Sequence, residues 1–317
     1  MSDVTAVNNL VKKYQQLQAE IAKVIIGQQE AVNLVLLSVF CGGHSLLIGV
    51  PGLAKTLLVN TISDVLGLDF KRIQFTPDLM PSDILGSEIL DENRRFKFIK
   101  GPIFSNIVLA DEINRTPPKT QAALLEAMQE KGVTIAGHHY KLPIPFFVLA
   151  TQNPIEQEGT YPLPEAQLDR FMFSIYLDYP TFEEEVTVVK NTTSTISESV
   201  QSLFSADEIK AIQQLIRKIP VADNVVEYAV KLVGKTRPKS VQATEKVKNY
   251  LDWGAGPRAS QSLILGAKAY AAVHGKYSPD IKDVQAVAIS ILSHRIVKNY
   301  KAEAEGITVG EIITSLF

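Results

Sequence analysis

Along the first half of this chain the apolar positions alternate between two spacings. From 7 to 24 they recur at helical intervals, and 30–40 reads as a second helix. Short β-rich runs follow at 44–48, 70–75, 107–110, 146–151 and 171–176, with helices predicted at 55–66 and 117–130. Pro117-Pro118 marks the entrance of the latter helix. Two hairpins are predicted as well, 87–100 turning at Asp91-Glu92-Asn93 and 133–142 turning near Gly137. Strands alternating with helices predict a parallel sheet covered on both faces, a three-layer α/β/α domain.

After Tyr179-Pro180 the pattern changes. Asn191-Thr192-Thr193-Ser194-Thr195-Ile196-Ser197 is polar and loop-like, the edge of a linker. Residues 205–317 read as almost all helix, with starts at Ser205-Ala206-Asp207-Glu208 and Ser278-Pro279-Asp280. The expected organisation is an α/β core with N-terminal helices and two hairpin insertions over 1–180, then a linker and a smaller all-helical domain over 181–317.

A length of 317 residues exceeds one core of typical size, which agrees with two domains. Hydrophobic content of 46% with 21% charged residues describes a globular protein, and a net charge of −2 gives no general attraction to nucleic acid or anionic lipid. The single cysteine, Cys41, ends an apolar run and excludes an intramolecular disulfide; core packing in a reducing compartment is expected. Met1 to Thr5 show no basic-then-apolar leader, and no apolar stretch reaches the ~18 residues of a membrane span, so a cytoplasmic location is expected. His44, His138, His139, His274 and His294 lack ligand spacing, so no protein-ligated transition metal is expected.

The chemistry lies at the strand ends. An apolar strand runs into Gly49-Val50-Pro51-Gly52-Leu53-Ala54-Lys55-Thr56 and a helix follows, which aims backbone N–H groups and a helix N-terminus at phosphate. Lys55 is placed to reach the β- and γ-phosphates and the Thr56 hydroxyl to coordinate Mg²⁺. Ala54 stands where the pattern has glycine, tolerable where its φ is negative. Ile107-Val108-Leu109-Ala110-Asp111-Glu112 is a strand ending in two carboxylates, and in a parallel sheet both arrive beside the phosphates. Asp111 suits an outer position around Mg²⁺, and Glu112 can polarise an attacking water. A third strand ends at Asn153, able to bridge Glu112, that water and the γ-phosphate; an asparagine before Pro154 also suits an ordinary turn.

With these sites in order, the chain resembles the AAA+ group of P-loop NTPases and, within it, the MoxR family. The blocks that carry the resemblance are Ile26-Gly27-Gln28, the loop just described, Ala110-Asp111-Glu112-Ile113-Asn114-Arg115, and Leu124-Leu125-Glu126-Ala127-Met128-Gln129-Glu130. They continue with Ala150-Thr151-Gln152-Asn153-Pro154, Tyr161-Pro162-Leu163-Pro164-Glu165-Ala166-Gln167-Leu168-Asp169-Arg170-Phe171 and Gly256-Pro257-Arg258-Ala259. The resemblance spans nearly the whole chain, and alanine at position 54 is usual in that family. It implies an ATPase with a P-loop core and a helical lid. ATP would be held by Gly49, Pro51, Gly52, Leu53, Ala54, Lys55, Thr56, Leu57, Asp111 and Arg258, with Ile26 and Gly27 lining an adenine pocket, and Mg²⁺ by Thr56 and Asp111. Lys55, Glu112 and Asn153 would act within the subunit. Arg170 would be an arginine finger reaching the neighbouring subunit, with Arg115 a rival for that task. A trans finger implies a homo-oligomeric ring, by resemblance a hexamer.

Three functions follow. The first is a chaperone-like ATPase that remodels or matures a partner protein complex, its partners in that family often carrying von Willebrand factor A domains. The others are a chelatase-like motor for metal insertion and a nucleotide-gated scaffold that barely turns over; Glu112 speaks against the scaffold. Arg94, Arg95, Lys97 and Lys100 make the first hairpin basic, and Lys131 with His138 and His139 flank the second. Without an aromatic ladder, and with a slightly acidic balance, a nucleic-acid motor is disfavoured.

Overall fold

A computed structural model describes residues 3–90, 92, 94–155, 158–193 and 199–317. Five strands form the main sheet: β1 (Ser45–Ile48), β2 (Phe70–Gln74), β3 (Ile107–Asp111), β4 (Phe147–Gln152) and β5 (Phe173–Tyr176), in the order β2-β3-β4-β1-β5. β3 is buried at every position, as a strand covered on both faces must be. β2, at the edge, exposes Lys71 and Arg72. The pairings of β2 with β3, β3 with β4 and β4 with β1 are parallel. Their register sets Gln74 beside Asp111 and Ile48 beside Gln152, so the carboxyl ends of these strands lie level.

The helix Gln29–Cys41 is buried on almost every side, including Cys41, and so belongs inside the fold. It stops at Gly42, whose φ of 71° lets its N–H reach back to the Ser38 and Val39 carbonyls. Gly86–Leu90 pairs with Phe96–Lys100, and Gly132–Ile135 with His138–Lys141. The second hairpin turns through Ala136 and Gly137, both at positive φ, the backbone that tight hairpin turns need. Phe98 stacks on Tyr140 at 4.2 Å and ties the two hairpins together. Asp91 and Asn93 of the expected first turn lie outside the described residues, as do 194–197 of the expected linker edge.

Contacts group the chain into two compact units, Gln16–Pro164 with Ile175–Lys210, and Met1–Gln15 with Glu165–Ser174 and Ala211–Phe317. The polar run expected to be a loop from Asn191 is helical through Thr192, within Phe182–Thr192. Thr181 and Glu184 box its start, and the Thr192 hydroxyl donates to the Val188 carbonyl, which lets a polar residue stay in the last turn. The helices at 206 and 281 begin where expected, capped by Ser205 with Glu208 and by Asp280 with Asp283. The stretch read as almost all helix also holds a short antiparallel ribbon, Leu251–Trp253 against Val297–Lys298, too short for its periodicity to register in the sequence.

Candidate active site

The loop 49–56 leaves β1 and enters the helix Lys55–Val65. A Cβ on Gly49 would lie 3.1 Å from the Leu177 Cβ and carbonyl oxygen, a tight fit that favours glycine where the chain leaving β5 passes close. Gly52 has φ 89°. Ala54 does not take the negative φ expected of it: it caps the helix at φ 51° and ψ 29°. The left-handed turn aims the first N–H groups of the helix back over the loop, a geometry alanine adopts at a cost of about 1–2 kcal/mol. Lys55 Nζ donates to the Gly49 carbonyl at 2.5 Å across the same loop. Thr56 is in the first turn, and Leu57 beside it is exposed.

The carboxylates stand at the end of β3. Asp111 is buried; its Oδ1 accepts from the Thr151 hydroxyl at 2.6 Å, and its Oδ2 from Arg72 at 2.6 and 3.0 Å. Glu112 turns into the left-handed region, φ 57°, and its N–H donates to the same Thr151 oxygen at 2.8 Å. Its Oε2 accepts from Gln74 at 2.9 Å and pairs with Arg115 at 3.1 Å. Asn153 follows β4, the strand between β3 and β1, and so lies between the carboxylates and the phosphate-type loop. Its Oδ1 accepts from the Ile155 N–H at 3.1 Å, the turn role; the amide NH₂ is the part suited to donate to an anion.

Ile26-Gly27-Gln28 approaches the same end. Gln28 donates to the Asp178 carbonyl at 2.6 Å, one residue from the Leu177 that packs on Gly49. Gly27 lines a cavity of about 320 Å³ with Ile21, Ile25 and Val32. Of the six non-glycine residues at positive φ among those described, Gln28, Ala54 and Glu112 cluster here; Arg94 and Ala136 belong to hairpin turns and Lys131 to a helix end.

Arg170 and Arg258 belong to the other compact unit. Arg258 opens the helix Pro257–Val273, a poor place for a cation, and the Asp169 carboxylate 3.8 Å away offsets that. Asp169 also pairs with Arg295 at 2.7 Å. Burial pulls the Arg295 guanidinium below its ordinary pKa, and Asp169 opposes the shift.

Residues 44–173 match the family model for ATPases associated with various cellular activities, and 243–316 the AAA lid domain. Chaperone MoxR1 of Mycobacterium tuberculosis is 44% identical over 290 residues, spanning 91% of this chain and 77% of that one. The chain belongs to the MoxR family of AAA+ ATPases. Its MoxR-type fold is a P-loop α/β core with a helical lid. YeaC of Bacillus subtilis is 43% identical over 299 residues, 93% of this chain and 90% of its own. A crystal structure from Cytophaga hutchinsonii superposes with a TM-score of 0.91 at 45% identity, covering 98% and 94% of the two chains.

Sequence reasoning gave no roles to Thr151, Arg72, Gln74 or Arg295. A threonine at full burial in an otherwise apolar strand is a readable signal, because a buried hydroxyl needs partners. Arg72 and Gln74, two apart on β2, share a face, though nothing local says it points at β3. Arg295 lies 126 residues from Asp169, beyond any local pattern.

Proposed function

We propose that this MoxR-family protein hydrolyses Mg²⁺-bound ATP and uses the cycle to remodel or mature a partner protein complex. The observation that carries the hydrolytic part is the Asp111–Thr151–Glu112 network, which holds the Asp111 carboxylate and the backbone turn at Glu112 at the carboxyl end of the sheet, beside the phosphate-type loop. Thr56 and Asp111 are hard oxygen donors of the kind Mg²⁺ takes, and Asp111, already paired with Arg72, suits holding metal-bound water. When bound, Mg²⁺ supplies neutralisation of charge on the β- and γ-phosphate oxygens. Lys55 exchanges the Gly49 carbonyl for phosphate oxygen. Glu112 orients water and takes its proton; the Asn153 amide donates to the γ-phosphate.

Arg170 is proposed as the finger acting on a neighbouring subunit. Arg170 is preferred to Arg115 for that task on its place in the family-like block 161–171. Arg258 is proposed to contact the nucleotide in cis, with 1–180 as ATP-binding core and 181–317 as linker and lid closing over it. This reading calls for a homo-oligomeric ring, a hexamer. The name of the Mycobacterium relative supports a protein client, and a von Willebrand factor A domain is the class proposed. A cytoplasmic location agrees with the lone buried thiol Cys41; no described helix is long and apolar enough to cross a membrane.

Glu112→Gln tests the reading. Turnover should fall by about 10²–10⁴-fold, the usual worth of a general base, while ATP affinity is kept. Unchanged turnover would remove the assignment. The same variant, held with ATP, is the bait for the client.

A further inference from the structure

Arg295 is a buried cation whose fan of donors is fully used. Its side chain is 2% exposed. Nε donates to Asp169 Oδ1 at 2.7 Å, Nη2 to the Phe171 carbonyl at 2.7 Å and the Asp169 carbonyl at 3.3 Å, and Nη1 to the Met172 carbonyl at 3.1 Å and to the Ile291 carbonyl. A guanidinium has five N–H groups, and each has an acceptor here. Four of those acceptors lie on 169–172. His294 adds a bond to the Phe171 carbonyl at 2.9 Å. The held peptide carbonyls therefore flank Arg170 on both sides.

Stability alone accounts poorly for this arrangement. Apolar packing of similar volume commonly serves a fold as well as a buried ion pair. What apolar packing cannot do is fix several carbonyls of one irregular segment at once. We infer that Arg295 is a positioning residue that sets Arg170 for the neighbouring subunit's γ-phosphate. Asp169 divides its two oxygens between Arg295 and Arg258, so one carboxylate joins the arginine proposed to sense the subunit's own nucleotide to the segment bearing the arginine proposed to serve the neighbour's. This inference rests on reading Arg170 as a trans finger.

The test compares Arg295→Lys, which keeps the charge and loses the fan, with Arg170→Ala, each alone and mixed with a Lys55→Ala chain that lacks its own site but carries an intact finger segment. Arg295→Lys should lower kcat by about 10- to 100-fold, the scale of a misplacement near 1 Å, with KM for ATP within about twofold. Mixing should restore part of the activity to both variants. If Arg295→Lys does not fold, His294→Leu, which loosens the same Phe171 carbonyl and leaves the Asp169–Arg258 pair in place, is put through the same mixing. Unchanged kcat, a rise in KM alone, or restoration of Arg170→Ala without restoration of the clamp variant would overturn the inference and leave the finger standing. Failure to restore Arg170→Ala would remove the finger, and the inference with it.

Discussion

The strand-end turns that carry Ala54 and Glu112 and the segment that carries Arg170 are held in opposite ways. At the strand ends, Ala54, Glu112 and Gln28 sit in left-handed backbone, and polar partners lock the turns in place. Around Arg170 the neighbouring carbonyls are gathered by a buried guanidinium instead. Backbone strain fixes groups that must converge on a small target from adjacent strands. A side-chain clamp fixes a segment that follows a single four-residue helix and has no long ladder of its own. The first device stores energy in the peptide; the second keeps a charge away from water.

Acid should strain both compact units, because each carries one neutral histidine largely withdrawn from water. His44 accepts from the Val148 N–H through Nδ1 at 2.9 Å and faces the Met128 carbonyl through Nε2, and burial drives its pKa down to about 4. His294 gives Nε2 to Phe171, leaving Nδ1 buried without a partner among the described residues; burial and the nearby Arg295 lower its pKa to about 3. Both pKa values are depressed, so the unfolded chain takes up protons that the folded chain refuses once pH falls below the ordinary 6.5. The contribution is complete above that pH. It shrinks by about 1.4 kcal/mol per pH unit per histidine down to about pH 4, roughly 6–7 kcal/mol for the two together. Urea unfolding at pH 7 and pH 5 of the wild type, His44→Gln and His294→Gln should show a shallower pH slope in each variant. Equal slopes in all three would mean that neither imidazole is held neutral.

Thr151→Val breaks the strand-end device alone. It removes the hydroxyl that donates to Asp111 and accepts from the Glu112 N–H, leaving the buried Asp111 Oδ1 and the half-buried Glu112 N–H without that partner at a cost of about 1–3 kcal/mol. Stability should fall by that amount and kcat should fall further than KM rises, because Glu112 loses the bond that holds its turn. A variant that loses stability with kcat intact would show that the bond serves folding only.

The difference between the devices also decides what was readable beforehand. Gly49, Lys55, Asp111, Glu112 and Asn153 lie at ends of apolar runs, and a parallel sheet brings strand ends together, so their convergence followed from order alone. The φ of Ala54 did not, since a negative value is the cheaper choice for a residue with a Cβ. The ribbon from 251 to 253 was too short to leave a period, and the helix ending at Thr192 was hidden by hydroxyls that bond to their own backbone. Arg295 was out of reach because nothing near it in sequence names Asp169 as its partner. Local pattern records where a chain turns and where it is buried, whereas long-range clamps are visible only once folded.

Ala54→Gly is the smallest of these changes and bears on whether strain at the phosphate-type loop is functional or incidental. Glycine accepts φ 51° without the alanine cost of about 1–2 kcal/mol, but gains about 0.4–1 kcal/mol of freedom in the unfolded chain. The net expectation is a stabilisation of about 0.5–1 kcal/mol. If the left-handed turn matters only as geometry, the variant keeps it and ATP affinity stays within about twofold, a change worth less than 0.5 kcal/mol. Thermal unfolding and ATP titration together decide the case. A stabilised variant with unchanged affinity makes the alanine a tolerated stiffener of the loop. A stabilised variant that binds ATP much more weakly would mean that stiffness itself, rather than the direction of the N–H groups, prepares the loop for phosphate.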